Sequence, residues 1–512
     1  MDTITTARSN SIGLALRRAA KKWRDRPALA FQERLWSYRD LDTAADRVAA
    51  WLLGELGLKA GDRVAVYGRN SDGYLLAWLG CVRAGLVHVP INYALKGPEL
   101  TYIVNQCGAK ALIVDPALGE YVEAVRGELK AAVYAAVTGG QSSVLDAALS
   151  SIQPPANDPP LGEADLAQIM YTSGTTSHPK GAMMSHGAMM AQYQSCICDL
   201  DYAAEDRSLA ALPLYHTAQL HAFTMPQLLV GAYSRLIEAP AADVVLRLIE
   251  EEGITSFFAP PTVWISLLRH ADFSKRNLST LTKIYYGASI MPGPVLEELR
   301  TRLPQAGLYN VYGQTEIAPV ATVLRPEEHA VRPDSAGRPV LNVQTRIVDP
   351  DMNDVPVGER GEIVHRSPHL LSGYWDKPAE TAEAFEGGWF HSGDVGRMDE
   401  EGYIYVVDRM KDVINTGGVL VASREVEDAL FTHAAVSEVA VIGTPDAKWI
   451  EAVMAVVVLR EGASATEAEL IAHAREHLAP FKVPKAVSFI DALPKNASGK
   501  ILKRELRQPT GG

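Results

Sequence analysis

The amino-acid sequence predicts an α/β protein: a large body layered on substantially parallel sheets, followed by a smaller unit of mixed helices and strands. Two observations lead there. From about Trp36 to Ala336, apolar strand-like runs such as RVAVYG (63–68), KALIVD (110–115) and ITSFFAP (254–260) alternate with longer helical patterns such as ADVVLRLIEEEG (242–253). That alternation is the pattern of parallel strands with helices packed on their faces. After Gly337 the texture changes. TRIVDPDMNDVPVGERGEIVHRS (345–367) and FHSGDVGRMDEEGYIYVVDR (390–409) read as antiparallel hairpins, the second turning at Glu400 to Gly402. A smaller unit begins near Lys411, with strands in EVAVIGT (438–444) and AVMAVVVL (452–459), a helix in EAELIAHAREHL (467–478), a strand in KAVSFID (485–491) and the tail LPKNASGKILKREL (493–506). The most linker-like stretch is GGQSSVLDAALSSIQPPANDPPLG (139–162).

A chain of 512 residues exceeds the size at which one core keeps growing, so two or more domains are expected. Hydrophobic content of 47% and charged content of 21% are ordinary for a globular protein. No apolar run is long enough to span a bilayer, and MDTITTARSN lacks the basic-then-apolar order of a secretory signal, which leads to a cytoplasmic expectation. Cys81, Cys107, Cys196 and Cys198 are too scattered for a disulfide framework and read as reduced core thiols. A net charge of −12 argues against nucleic-acid binding, because a phosphate backbone demands a basic surface. In LALRRAAKKWRDR (14–26), Leu16, Ala20 and Trp23 share a helix face with Ile12, beside Arg17, Arg18, Lys21 and Lys22. This reads as a domain helix with a solvated outer face; transient contact with a membrane surface is the alternative.

The stretch YTSGTTSHPKG (171–181) concentrates small residues, hydroxyls and one lysine in a single loop. Exposed backbone N–H groups, hydroxyl donors and a point cation suit an oxyanion such as phosphate. DLAQIMY ahead of it reads as a buried strand, and SHGAMMAQYQ behind it opens on a capping-type Ser185, giving the order strand, loop, helix. The stretch is not a Walker A loop, since Pro179 precedes Lys180 and Gly181 follows it.

Five segments in a fixed order carry a resemblance: YTSGTTSHPKG, YNVYGQTE (309–316), WFHSGDVGRMDEEGYIYVVDRMKD (389–412), NTGG with SREVE (415–427), and LPKNASGK (493–500). Singly each is weak; in this order and spacing they resemble the adenylate-forming superfamily of acyl-CoA synthetases, luciferases and peptide-synthetase adenylation domains, with bacterial fatty acyl-CoA synthetases the nearest look. WSYRDLD and AGLVHVPINYALKGPEL extend the likeness over nearly the whole chain. The resemblance implies a large N-terminal domain, residues 1–410, of layered mixed and parallel sheets with helices and a distorted barrel-like β part. It implies a small mobile α+β C-terminal domain, residues 411–512, hinged near Lys411.

The implied reaction has two halves: a carboxylate attacks the α-phosphorus of ATP to give acyl-AMP and pyrophosphate, then the thiol of coenzyme A displaces AMP. Like charges about 4 Å apart at an effective dielectric near 20 repel by about 4 kcal/mol per pair, so fixed dipoles and cations must offset that repulsion. By resemblance, Thr172, Ser173, Gly174, Thr175, Thr176 and Lys180 hold the pyrophosphate portion of ATP. Glu316 is the Mg2+ ligand, in line with the single carboxylate by which that ion is often held, and Thr315 bonds the α-phosphate. Gly287, Ala288 and Ser289 lie on the adenine side, with Tyr312, Gly313 and Gln314 also at the nucleotide. Asp394 takes the ribose hydroxyls and Arg409 contacts the same nucleotide. Lys500 bridges carboxylate and α-phosphate during adenylation. Lys411, Gly417 and Gly418 face the site from the small domain, and His216 sits where the carboxylate meets the acyl tunnel.

Gln219, Leu220, Phe223, Trp264, Tyr286, Gly287 and Ile317 to Val320 are the candidate acyl lining, mostly apolar, as an alkyl or aryl acid requires. The chain departs from the family pattern at Ser177, where relatives carry Gly, at Val419 and Leu420, where many read Glu-Asn, and at Ile450, where relatives carry Gly; the last three lie along the implied coenzyme A path. The expected activity is therefore ATP-dependent ligation of a medium- or long-chain fatty acid to coenzyme A. The alternatives are an aryl- or other small-acid ligase, or an adenylating enzyme that passes the acyl group to a carrier protein. Relatives also allow a homodimer.

Overall fold

A computed structural model describes residues 4, 7–139, 142–153, 159–172, 178–289, 291–410, 412–416, 419–446, 450–496 and 500–507. Two open sheets make the layers of the large body. The six-stranded sheet runs Val133–Ala136, Ala111–Val114, Arg63–Tyr67, Val87–Ile91, Leu166–Thr172 and Lys180–Ser185, parallel except for its last pair. The nine-stranded sheet has a parallel centre from Gly307–Gly313 through Lys283–Gly287, Ser256–Ala259, Arg207–Ala210 and Tyr233–Leu236 to Pro27–Phe31, with antiparallel strands at both edges. Buried on both faces, the central strands read as continuous apolar runs, which is why their sequence does not alternate.

Between the sheets, helices Tyr38–Gly54 and Asp72–Ala84 pack so closely that a Cβ on Gly80 would stand 2.3 Å from Val48 Cγ1. The first helix starts at a reciprocal cap between Ser37 and Asp40, satisfying two N-terminal donors. Helix Ile12–Trp23 lies on the same core: Ile12, Leu16 and Ala20 are buried, and Arg17 donates to Asp46. It is a domain helix, and its apolar face is committed to the core. The linker-like 139–162 contains helix Val144–Leu149, capped by Ser143, with four of its side chains buried. That stretch is therefore part of the body; its serine and proline content marks caps and turns around a short core helix. Cys81, Cys107 and Cys196 are buried as expected, while Cys198 is exposed.

Past Gly337 the chain forms a four-stranded antiparallel sheet, Gln344–Val348, Gly361–Arg366, Phe390–Met398 and Ile404–Arg409, tied to the preceding segment by a bridge between Gly337 and Ile404. The last sheet pairs Val419–Val421 with Ile414–Thr416 and sets Ile450–Leu459 against Val436–Asp446, with Ala486–Phe489 parallel on its edge. Helices Ser423–Phe431 and Glu467–His477 cover it. Among the described residues, no helix is long and apolar enough to cross a membrane.

Candidate active site

The phosphate-type loop joins two strands of one hairpin: Leu166–Thr172 leads in, and Lys180–Ser185 returns antiparallel with Lys180 opposite Thr172. This corrects the expected order of strand, loop, helix. The helix His186–Asp199 begins only after that second strand, capped by Ser185, so the loop is not at a helix N-terminus. Pairing with Leu166–Thr172 makes KGAMMS the edge strand of the sheet before the cap. Ser173, Gly174, Thr175, Thr176 and the family departure Ser177 lie outside the described residues.

The hairpin delivers Thr172 to Glu316: Thr172 Oγ1 donates to Glu316 Oε1 at 3.1 Å, and the Tyr374 hydroxyl donates to the same oxygen at 3.3 Å. Lys180 Nζ stands 5.2 Å from the centroid of the Tyr374 ring. Glu316 is only 8% exposed, and the side-chain hydrogen bonds it receives among the described residues come from neutral hydroxyls. A buried carboxylate so placed fits a cation held together with phosphate oxygens, which is how Mg2+ is taken up by a single carboxylate.

Strand Gly307–Gly313 brings the neighbouring residues. Gly313 is obligatory, since a Cβ there would lie 1.9 Å from the Pro319 carbonyl oxygen. Gln314 Nε2 reaches the Ser392 carbonyl at 3.4 Å, and the Thr315 and Thr217 hydroxyls meet at 2.9 Å. The Tyr312 hydroxyl donates to Asp394 Oδ2 at 2.7 Å, while Arg409 Nε holds Asp394 Oδ1 at 3.1 Å. Asp394 and Arg409 are register partners in one hairpin, which explains why residues so far apart in sequence converge. Burial, reinforced by Asp394, raises the Tyr312 hydroxyl well above its ordinary pKa, so it remains a donor.

On the adjacent strand, a Cβ on Gly287 would stand 2.2 Å from the Val311 carbonyl oxygen. The glycine is thus required for the approach of these two strands. Ala288 takes the left-handed conformation, φ 64°, and is exposed with Ser289.

His216 precedes a π-helical turn, Ala218–Thr224, a local irregularity often found at functional sites. Burial, with the charge of Lys500 adding to it, pushes the His216 imidazole down to about 4. The C-terminal lysine therefore reaches the site electrostatically. Asn496 and Lys500 form a reciprocal pair: Lys500 N–H donates to Asn496 Oδ1 and Asn496 N–H to the Lys500 carbonyl, both at 2.9 Å. Lys411, Gly417 and Gly418 lie outside the described residues.

The candidate acyl lining is closely packed. Phe223 stacks on Phe258 with centroids 4.0 Å apart and tilts against Tyr285 at 5.3 Å. Trp264 Nε1 donates to the Tyr285 carbonyl, the Tyr286 hydroxyl meets His329 Nε2 at 2.9 Å, and both polar atoms of Gln219 are used internally, by Leu212 N–H and Thr224. Leu220, Ile317, Ala318 and Val320 are fully buried.

Several contributors escaped sequence reasoning. Thr217 and Tyr374 carry no motif of their own. A buried chain runs from the Tyr193 hydroxyl to His221 Nδ1 (2.7 Å), from His221 Nε2 to Gln168 Oε1 (2.7 Å) and from Gln168 Nε2 to His88 Nδ1 (2.9 Å). It ties the strand of Thr172 to the π-helical turn behind His216. Burial pushes both His88 and His221 down to about 3, so the chain is neutral.

Two of the family departures are visible among the described residues. Leu420 is exposed, and Ile450 combines exposure with φ 68°, a conformation that glycine adopts freely and a β-branched residue does not.

These geometries sit within a wider likeness. Residues 16–375 match the family described as AMP-binding enzyme, and residues 425–500 match the AMP-binding enzyme C-terminal domain. The chain is 40% identical over 477 residues to a feruloyl-CoA synthase of Amycolatopsis sp, covering 93% of this chain and 94% of that one. It is 32% identical over 525 residues to a long-chain-fatty-acid–CoA ligase of Escherichia coli O6:H1, covering 96% and 93%. The crystal structure of an anthranilate CoA ligase in complex with anthranoyl-AMP superposes with a TM-score of 0.91 at 29% identity, over 98% of this chain and 97% of that one. Because family models match both its large body and its C-terminal unit, and relatives align from end to end, the chain belongs to the AMP-binding enzymes and is an AMP-forming acid–CoA ligase working with ATP, Mg2+ and coenzyme A.

Proposed function

We propose that the acid activated by this ligase is aromatic, an aryl or arylalkyl carboxylate, delivered to coenzyme A through its acyl-adenylate. The observation that carries this reading is the closed packing of the candidate lining. Phe223 of that lining stacks on Phe258 at 4.0 Å and tilts against Tyr285 at 5.3 Å, an arrangement that favours a flat, short acid over one needing a long tunnel. The likeness to feruloyl- and anthranilate-CoA ligases supports it. A medium- or long-chain fatty acid is the second reading, favoured by the 32% identity to a long-chain-fatty-acid–CoA ligase.

In this reading Thr172, Lys180 and residues 173–176 cradle the pyrophosphate portion of ATP, and Glu316 holds Mg2+, which screens phosphate charge when bound. Thr315, positioned by Thr217, donates to the α-phosphate. Asp394, aligned by Tyr312 and Arg409, accepts from the ribose hydroxyls, while Gly287, Ala288, Ser289, Gly313 and Gln314 border the base and sugar. His216, neutral at physiological pH, offers the carboxylate a hydrogen bond without a competing charge. Lys500 then supplies the cation between carboxylate and α-phosphate as negative charge builds. Since the same lysine must leave before a thiol can approach, residues 411–512 act as a separate domain that turns about Lys411, with Gly417 and Gly418 facing the thiol side. A cytoplasmic location suits ATP and coenzyme A as co-substrates.

The experiment is incubation with ATP, Mg2+ and a panel of ferulate, anthranilate, indoleacetate and C8 to C16 fatty acids, with and without coenzyme A, read by mass spectrometry. Aryl thioesters dominating the products support the proposal. Dominant fatty acyl thioesters replace it with the second reading. Lys500→Ala is expected to depress adenylation at least a hundredfold while largely sparing thioester formation from supplied acyl-AMP; equal losses in both steps count against the two-state account.

A further inference from the structure

We propose that His473, Glu476 and His477, at the C-terminal end of helix Glu467–His477, bind one divalent transition-metal ion of the Zn2+ class. One donor atom from each side chain lies within 4.8 Å of the others. Residues at i, i+3 and i+4 share a helix face, the spacing by which two imidazoles and a carboxylate converge on one ion. Ligands around Zn2+ sit 2.0–2.2 Å from the metal, so small rotamer changes of these half-buried and exposed side chains close the set.

The second observation is how each imidazole is wired. His473 Nε2 faces the Ala429 carbonyl at 3.2 Å and Thr432 Oγ1 at 2.7 Å, and the Thr432 hydroxyl donates to the same carbonyl at 2.7 Å. A carbonyl only accepts and the threonine proton is already spent on it, so Nε2 carries the hydrogen and the Nδ1 lone pair is left for a metal. His477 Nδ1 faces the His473 carbonyl at 2.9 Å, so Nδ1 carries the hydrogen and Nε2 is left. Both rings therefore have one N–H tied to a backbone carbonyl and the opposite lone pair directed elsewhere, the arrangement that fixes metal-binding histidines. His433, edge-on to His473 at 5.1 Å, accepts from Ala435 N–H through Nδ1, which puts its proton on Nε2 and excludes it as a ligand in this state. A cation here also lies at a helix C-terminus, where the macrodipole favours it. Metal on His473 strengthens its bonds to Ala429 and Thr432, clasping helix Glu467–His477 to the end of helix Ser423–Phe431.

The test uses the full untagged chain, stripped with chelator and titrated with Zn2+ by calorimetry, with thermal unfolding alongside. The expectation is one site per chain and a rise in melting temperature with Zn2+. His477→Ala, or His473→Asn, abolishes both, Glu476→Gln weakens binding, and Thr432→Val, which removes only the supporting acceptor, weakens it about tenfold. Adenylation stays unchanged in all four. Stoichiometric binding that survives His473→Asn and His477→Ala overturns the assignment, as does no binding up to 100-fold molar excess. Affinity undiminished in Thr432→Val overturns the built site and leaves two ordinary surface imidazoles.

Discussion

Ile450 shows what one residue can reveal about the pattern a chain departed from. Its φ of 68° is the conformation a glycine would take without strain, and its side chain is exposed. Left-handed backbone costs a β-branched residue about 1–2 kcal/mol, whereas glycine at an ordinary position costs roughly 0.5–1 kcal/mol through the entropy of the unfolded chain. The first figure exceeds the second. Ile450→Gly is therefore expected to leave stability unchanged or raise it by up to about 1 kcal/mol, measured by denaturant midpoint; a loss above 1 kcal/mol would mean that the side chain contributes packing its exposure does not suggest. The same arithmetic applied to Gly313 and Gly287 gives the opposite sign, because there a Cβ meets a carbonyl oxygen at 1.9 and 2.2 Å.

At the scale of elements, the π-helical turn Ala218–Thr224 and the strand Leu166–Thr172 are held by the Tyr193–His221–Gln168–His88 chain. His221→Phe keeps a planar ring but takes away the partner of the Gln168 amide oxygen and leaves the Tyr193 hydroxyl only the weak sulfur acceptor Met189 Sδ at 3.9 Å. At about 1–3 kcal/mol per group, a destabilisation of about 2–6 kcal/mol is expected in urea unfolding; His221→Leu loses the same hydrogen bonds and also the edge contact with the Trp78 ring 5.1 Å away, so a distinctly larger cost in that variant would show that this packing contributes as well. None of this chain was legible in the sequence. Gln168 and His221 sit in apolar runs where a polar residue gives no periodic clue to its partner, and the partners lie 53 and 28 positions away. What was legible was local: the Ser185 cap, the hairpin of Asp394 and Arg409, and the alternation of strands and helices. The strand Lys180–Ser185 was missed because KGAMMS has no β-branched residue and stands directly against a strong helix cap, so its identity comes from pairing with Leu166–Thr172 rather than from propensity. The helix inside 139–162 was missed for the converse reason, six residues framed by serine and proline.

At the scale of the whole molecule, buried imidazoles dominate the acid response. His88 and His221 are pushed down to about 3, and His186, His365 and His369 to about 4, all by burial. In the unfolded chain each would protonate near 6.5. Between those values the unfolded state binds the extra protons, so stability rises with pH across the window from about 4 to 6.5 and falls as pH drops through it, by about 1.4 kcal/mol per pH unit for each group well inside it. Denaturation midpoints measured from pH 7.5 to pH 5 should fall steeply below about 6.5. A flat profile would mean that water reaches these rings. The same architecture makes His216 a built-in reporter. Lys500 approaches from the far end of the chain and depresses that imidazole beyond what burial alone does, so its titration, followed by NMR, reads out where the C-terminal unit stands. Swinging the unit away, or removing the charge with Lys500→Ala, should move the His216 midpoint upward. The proposed turn of residues 411–512 would then be readable from the proton of one imidazole, without any acid, nucleotide or thiol in the tube.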